Sequence, residues 1–192
     1  MPLWGATDSD ESKPKNLTTA QKKQVFANAS GWVLEAGSAL SGNDNTDADP
    51  EVLVAIGELS TSIGAADITE VEMVTTTADK SEGFTISVRV RYNEPVDVVT
   101  TGGTPTLAVT NSNDGTGSGR GPHSLSYASG TGTNELIFSL AIAAANAATN
   151  ADDVLSVGAQ TIALNSGTMK DASGTASDAA LVISGALGTA AG

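Results

Sequence analysis

The sequence predicts a mainly β protein built on an antiparallel β-sandwich, preceded by a small α+β N-terminal region with an extended arm. Three observations predict it. Apolar and polar residues alternate with period two through Phe84-Thr85-Ile86-Ser87-Val88-Arg89-Val90-Arg91-Tyr92, the pattern of a strand with one buried face. Short apolar runs separated by Gly, Asn, Asp and Pro recur from Glu70 to the C-terminus, the spacing of a sandwich rather than of a helical or parallel-sheet fold. Gly, Ala, Ser and Thr are abundant while aromatic residues make up 4% of the 192, so the core must be aliphatic and assembled from many short elements.

The length allows one ordinary domain plus an appendage. With 9 basic against 22 acidic side chains the net charge is -13, which would repel a phosphate backbone, so no nucleic-acid partner is expected. The absence of cysteine excludes a disulfide framework, thiolate zinc sites and cysteine nucleophiles. The N-terminus lacks a basic segment followed by an apolar run, and no stretch of about 18 apolar residues is present, so a protein made in the cytoplasm without a membrane partner is expected.

Residues 1–16 read as an extended arm, polar and Pro-containing, with an isolated Leu3-Trp4 pair that either docks on another molecule or folds back on its own subunit. A small region spans 17–68. Its helix starts at Leu17 with Thr18 or Thr19 as cap, carries Val25 and Phe26 on one side, and ends at Gly31, after which Trp32-Val33-Leu34 is extended. A turn-rich loop then leads to a strand over 51–57. Asp44, Asp47 and Asp49 in that loop invite a calcium reading, but the EF-hand glycine and terminal glutamate are missing, and a solvated acidic loop with no metal is expected.

The small-residue connector 58–68 marks the boundary to a sandwich over 69–192. Its strands are expected at 70–77, 84–92, 96–99, 105–110, 124–128, around Leu136, Phe138 and Leu140, and at 154–157, 162–164 and 180–183. Asn93-Glu94-Pro95 breaks the strand it follows. Residues 141–148, AIAAANAA, have the highest helix propensity and read as a helical turn or a crossing loop.

No catalytic constellation or cofactor site emerges. Gly115, Gly117, Gly119 and Arg120 belong to a glycine-rich run that joins two strands, with no helix N-terminus behind it to receive a phosphate, and are read as an exposed loop. His123 is the only histidine, and without a cysteine or a G-x-S-x-G elbow it completes no hydrolytic triad; a loop or strand-edge position is the default. Asp152 and Asp153 point to opposite sides if extended. Arg89 and Arg91 share the outward face of their strand, either pairing with nearby carboxylates or docking another acidic subunit.

Two resemblances add to this reading. Leu3-Trp4-Gly5, Thr7-Asp8, Lys13-Pro14-Lys15, Gly31-Trp32-Val33-Leu34 and Pro50-Glu51-Val52-Leu53-Val54-Ala55-Ile56-Gly57 together resemble the opening of small virion structural proteins of tailed phages, notably marine myophages. In those proteins the middle is often longer and glycine-rich; here residues 17–30 replace it. Asn93-Glu94-Pro95-Val96, Gly103-Thr104-Pro105-Thr106-Leu107, the stretch from Tyr127 to Phe138 and that from Leu164 to Gly174 resemble a bacterial Ig-like repeat of cyanobacterial surface proteins and adhesins, over roughly 70–185. The second resemblance implies an Ig-like antiparallel β-sandwich and no activity of its own. The two imply a non-enzymatic capsid decoration or cement protein on the virion surface. Leu3, Trp4, Lys13, Lys15, Trp32 and Leu34 would bind the major capsid protein, with neighbouring copies of the chain, a homotrimer among the options, as further partners. The alternatives are a neck or tail component, or an adhesin-like Ig module that binds host surface glycans.

Overall fold

A computed structural model describes residues 14, 16–22, 24–28, 30–46, 48–57, 59, 65–113, 120–144, 149, 153–172, 178–185 and 190–191. Within them the protein is mainly β, with antiparallel sheets in a sandwich-like arrangement and a single short helix.

That helix, α1 (Thr19–Lys22), is one turn long. Thr18 and Gln21 form its capping box: the Thr18 N–H donates to Gln21 Oε1 at 2.9 Å and the Gln21 N–H to Thr18 Oγ1 at 3.3 Å. The expected continuation to Gly31 does not occur. Val25–Asn28 instead forms strand β1, paired with β2 (Gly31–Leu34). The reason lies in the residues: the β-branched and aromatic pair Val25-Phe26 can be buried on two opposite faces in a strand, and both are buried. Gly31 is therefore a sheet residue rather than a helix stop. Its φ is +130°, and a Cβ there would lie 2.1 Å from the Val54 carbonyl oxygen on β3 (Glu51–Ala55). The order in this sheet is β1-β2-β3, with a bulge opposite Trp32 and Val33. Val25, Ala27, Trp32 and Leu34 pack with Leu59 into a small core on one face; Phe26 and Val33, partners in register, lie on the other.

The larger unit begins with β4 (Ile68–Met73) and β5 (Phe84–Val99). As expected, Ile86, Val88 and Val90 are fully buried. The break expected at Asn93-Glu94-Pro95 is instead a bulge inside one 16-residue strand. Arg91 pairs with Glu135 and Val96 with Thr133, so β5 has extra residues between those pairs. The looped-out backbone finds other partners: Asn93 N–H donates to Asp67 O at 3.0 Å, Asp67 N–H to Asn93 Oδ1 at 2.6 Å, and Ala172 N–H to Pro95 O at 2.9 Å. Pro95, which has no N–H, sits where the ladder asks for none. The bulge lets β5 pair with β4 up to Tyr92 and with β11 (Thr168–Asp171) from Val96.

The remaining strands are β6 (Thr106–Asn113), β7 (Arg120–Ser129), β8 (Thr133–Ile142), β9 (Asp153–Val157), β10 (Gln160–Thr161), β12 (Val182–Ile183) and β13 (Ala190–Ala191). The main ladder runs β11-β5-β8-β7-β6-β9-β13, with β4 also on β5, and β10 pairs with β12. The turn foreseen at residues 130–132 joins β7 to β8: Gly130 has φ +110°, and a Cβ there would meet the Glu135 carbonyl oxygen at 2.0 Å. Ala141 and Ile142 end β8 rather than starting a helix; 145–148 lie outside the described residues. One aliphatic cluster fills this unit, with Phe138 and Tyr127 edge to face at 6.0 Å between ring centroids.

Candidate functional site

The two units meet at a cluster of charge. On β5, Arg89 and Arg91 share a face, and the register sets Glu72 and Glu70 of β4 directly beside them, with Glu135 of β8 on the other side of Arg91. Glu35, the residue after β2, comes from the small unit and completes the set. Arg91 Nη1 donates to Glu70 Oε2 at 2.6 Å and to Glu35 Oε2 at 2.9 Å; its Nε donates to Glu135 Oε1 at 2.9 Å, and its Nη2 reaches Glu135 at 2.6 Å and also Glu35. Arg89 pairs with Glu72, and its Nη2 lies 3.3 Å from Glu35 Oε1. Phe26 of β1 closes the cluster, its ring centroid 5.6 Å from the Arg91 guanidinium carbon.

Arg91 is 1% exposed and Arg89 25% exposed. The face expected to point outward is thus covered by the chain's own N-terminal sheet, and the expected pairing with nearby carboxylates is realised within the chain. Burial alone would lower the Arg91 guanidinium, but Glu35, Glu70 and Glu135 outweigh it and hold it above its ordinary value. Glu70 is pushed up by burial, helped by Glu35 and Glu72 and opposed by Arg91 and Arg89. Beside the cluster a cleft of about 590 Å³ opens between the units, lined by Phe26, Asn28, Thr46, Pro50, Arg89 and Asn134 among others.

Away from this junction the small sheet ends in β3, which pairs only with β2 among the described residues. Val52 is 51% exposed and Leu53 38%, and Leu40 in the preceding loop is 37% exposed. Such an edge offers backbone groups and apolar side chains to another strand. Sequence reasoning placed a strand here but not its free edge, because edge position depends on the order of strands and not on any one of them.

Of the residues expected to bind a shell, Leu3, Trp4, Lys13 and Lys15 lie outside the described residues. Trp32 and Leu34 are 0% and 1% exposed in the small core, so any part they play in docking passes through the fold of the sheet rather than direct touch. Gly115, Gly117 and Gly119 also lie outside the described residues, while the backbone of Arg120 begins β7, paired with Asn111. His123 is not at a loop or edge: it sits inside the ladder on β7, 5% exposed, with Nε2 2.9 Å from Thr149 Oγ1. Burial lowers its pKa, with Asp153 acting against the shift. Among the described residues no group of three or more His, Cys, Asp or Glu side chains is placed to hold a metal ion. Asp44 and Asp49 are in the expected loop, and Asp47 is outside the described residues.

No family model, curated protein or solved structure matches the chain.

Proposed function

We propose that the chain is a structural protein of a tailed-phage virion, a decoration or cement protein that binds the outer surface of the major capsid protein shell. In this reading the larger unit is an Ig-like sandwich that projects outward, and the small sheet with its arm faces the shell, beside neighbouring copies of the chain. The observation that carries it is the apolar edge of β3, Glu51–Ala55, which has no second partner strand among the described residues and lies within the stretch that resembles phage virion proteins. An edge strand accepts a partner strand through its backbone, and an arm on the same unit adds a second attachment whose local concentration the first one raises. The chain as a whole, at net charge -13, is acidic, which keeps decorated particles apart.

The test uses heads stripped of the chain and then offered the purified protein. Wild type should rebind in many copies spread over the head, whereas a chain lacking residues 1–16, or one carrying Val52→Lys, should lose most of its occupancy while keeping its circular dichroism spectrum. Unchanged occupancy of both variants would overturn the docking reading, and a single ring of copies at the neck would replace the shell with a tail component.

A further inference from the structure

The sandwich holds a second cleft, on the loop that joins β4 to β5, of about 660 Å³, a size typical of small-molecule sites at about 300–1,000 Å³. Its walls are the 75–81 loop between β4 and β5, the chain after β8 at Ala144, and the start of β9 at Asp153, with the half-buried Phe84 among them. At the wall, Thr149 is 5% exposed, and its hydroxyl is fixed by His123, itself buried. Asp153 is held from the side by Asn111, whose Nδ2 lies 3.2 Å from Asp153 Oδ2.

We infer that this cleft binds a neutral saccharide ring. The groups that line it are the exposed hydroxyls of Thr76 and Thr77, two carboxylates (Asp79 and Asp153) and one aromatic ring, with the buried Thr149 behind them. Carboxylates accept from vicinal sugar hydroxyls, threonines both donate and accept, and the C–H face of a pyranose packs on an aromatic ring. The single ammonium, Lys80, is tied to the Ala144 carbonyl, which leaves the carboxylates dominant and disfavours an anion. Asp79 is already ordered for this purpose: Ser81 N–H donates to its Oδ1 at 2.8 Å, so the loop is shaped before any ligand arrives. The site belongs to the sandwich alone and stands whether or not the chain docks on a shell.

The experiment is an amide-shift titration of the full isotope-labelled chain with glucose, galactose, mannose and N-acetylglucosamine, each free and as its methyl α-glycoside, with sulfate as the anion arm. At least one sugar should give saturable shifts confined to residues 75–84, Ala144, Thr149 and Asp153, and sulfate none there. Binding of the glycoside would mark the end of a longer glycan as the natural source, and binding of the free hexose alone a free sugar. Asp79→Ala, an exposed change that removes a carboxylate accepting from the sugar, should weaken that sugar at least tenfold and leave the shifts of Val88 and Val90 in place. No saturable shift with any sugar, or affinity unchanged by Asp79→Ala, would overturn the inference.

Discussion

The sandwich encloses one continuous aliphatic cluster running from Val71 on β4 to Ile183 on β12, whereas among the described residues the small sheet encloses Val25, Ala27, Trp32, Leu34 and Leu59, with Leu17, Val54 and Ile56 partly buried against them, and leans on a charged junction for the rest. Three strands of four or five residues are near the lower limit of what stands alone in water. The large unit is held by area and shape. The small one is held by direction, because a guanidinium that must satisfy carboxylates from three separate segments permits one orientation of the sheet that brings Glu35. A buried ion pair adds little net stability against an apolar substitute, so its value here is geometric: it fixes where the β3 edge points.

The largest loss is expected at Arg91. Arg91→Ala leaves Glu35, Glu70 and Glu135, which are 24–36% exposed, facing one another, and because water reaches them the loss should fall at or below the low end of the about 3–5 kcal/mol that breaking a fully buried pair costs. Denaturant melts followed at Trp32 should show the small unit unfolding well before the sandwich. A single transition at the wild-type midpoint would mean that the junction holds nothing.

A smaller effect sharpens the contrast through pH. The folded-state pKa of Glu70 is raised above its ordinary value of 4.5, so the folded chain binds that proton more tightly than the unfolded one does. Junction stability therefore rises as pH falls through the raised pKa, and the gain is complete below 4.5. Protonation leaves three carboxylates, Glu35, Glu72 and Glu135, for Arg89 and Arg91. His123 has the opposite sign: its folded pKa lies below the ordinary 6.5, so the sandwich loses stability as pH drops from 6.5 through the lowered value. Glu70→Gln should remove the junction's acid gain and leave the sandwich's acid loss intact, as read by pH-dependent melts of each unit. Identical pH profiles for the two proteins would refute the assignment to Glu70.

Much of the sandwich was legible because its signal is local. Alternation from Phe84 to Tyr92 and the glycine turn before Thr133 specify their strands without reference to the rest of the chain. What was not legible depends on distant segments. Pro95 reads as a strand breaker, since the same missing N–H fits a break and a bulge, and only Asp67 and Ala172, far away in sequence, decide between them. Arg89 and Arg91 read as outward-facing because the pattern shows which face they share and not that Phe26 and Glu35 come back to cover it. The same limit turned Val25–Asn28 into an expected helix: the strand exists because Gly31–Leu34 pairs with it.

The most direct test of this account is hydrogen exchange across the junction in wild type and Glu35→Gln, a change that removes the charge the small unit contributes and keeps the side chain's shape. The account predicts faster exchange at the amides of Phe26, Val33 and Leu34, with those of Val88, Leu136 and Phe138 unchanged. Equal exchange in both proteins at Phe26 and Val33 would contradict the claim that the ionic cluster holds the small sheet against the sandwich.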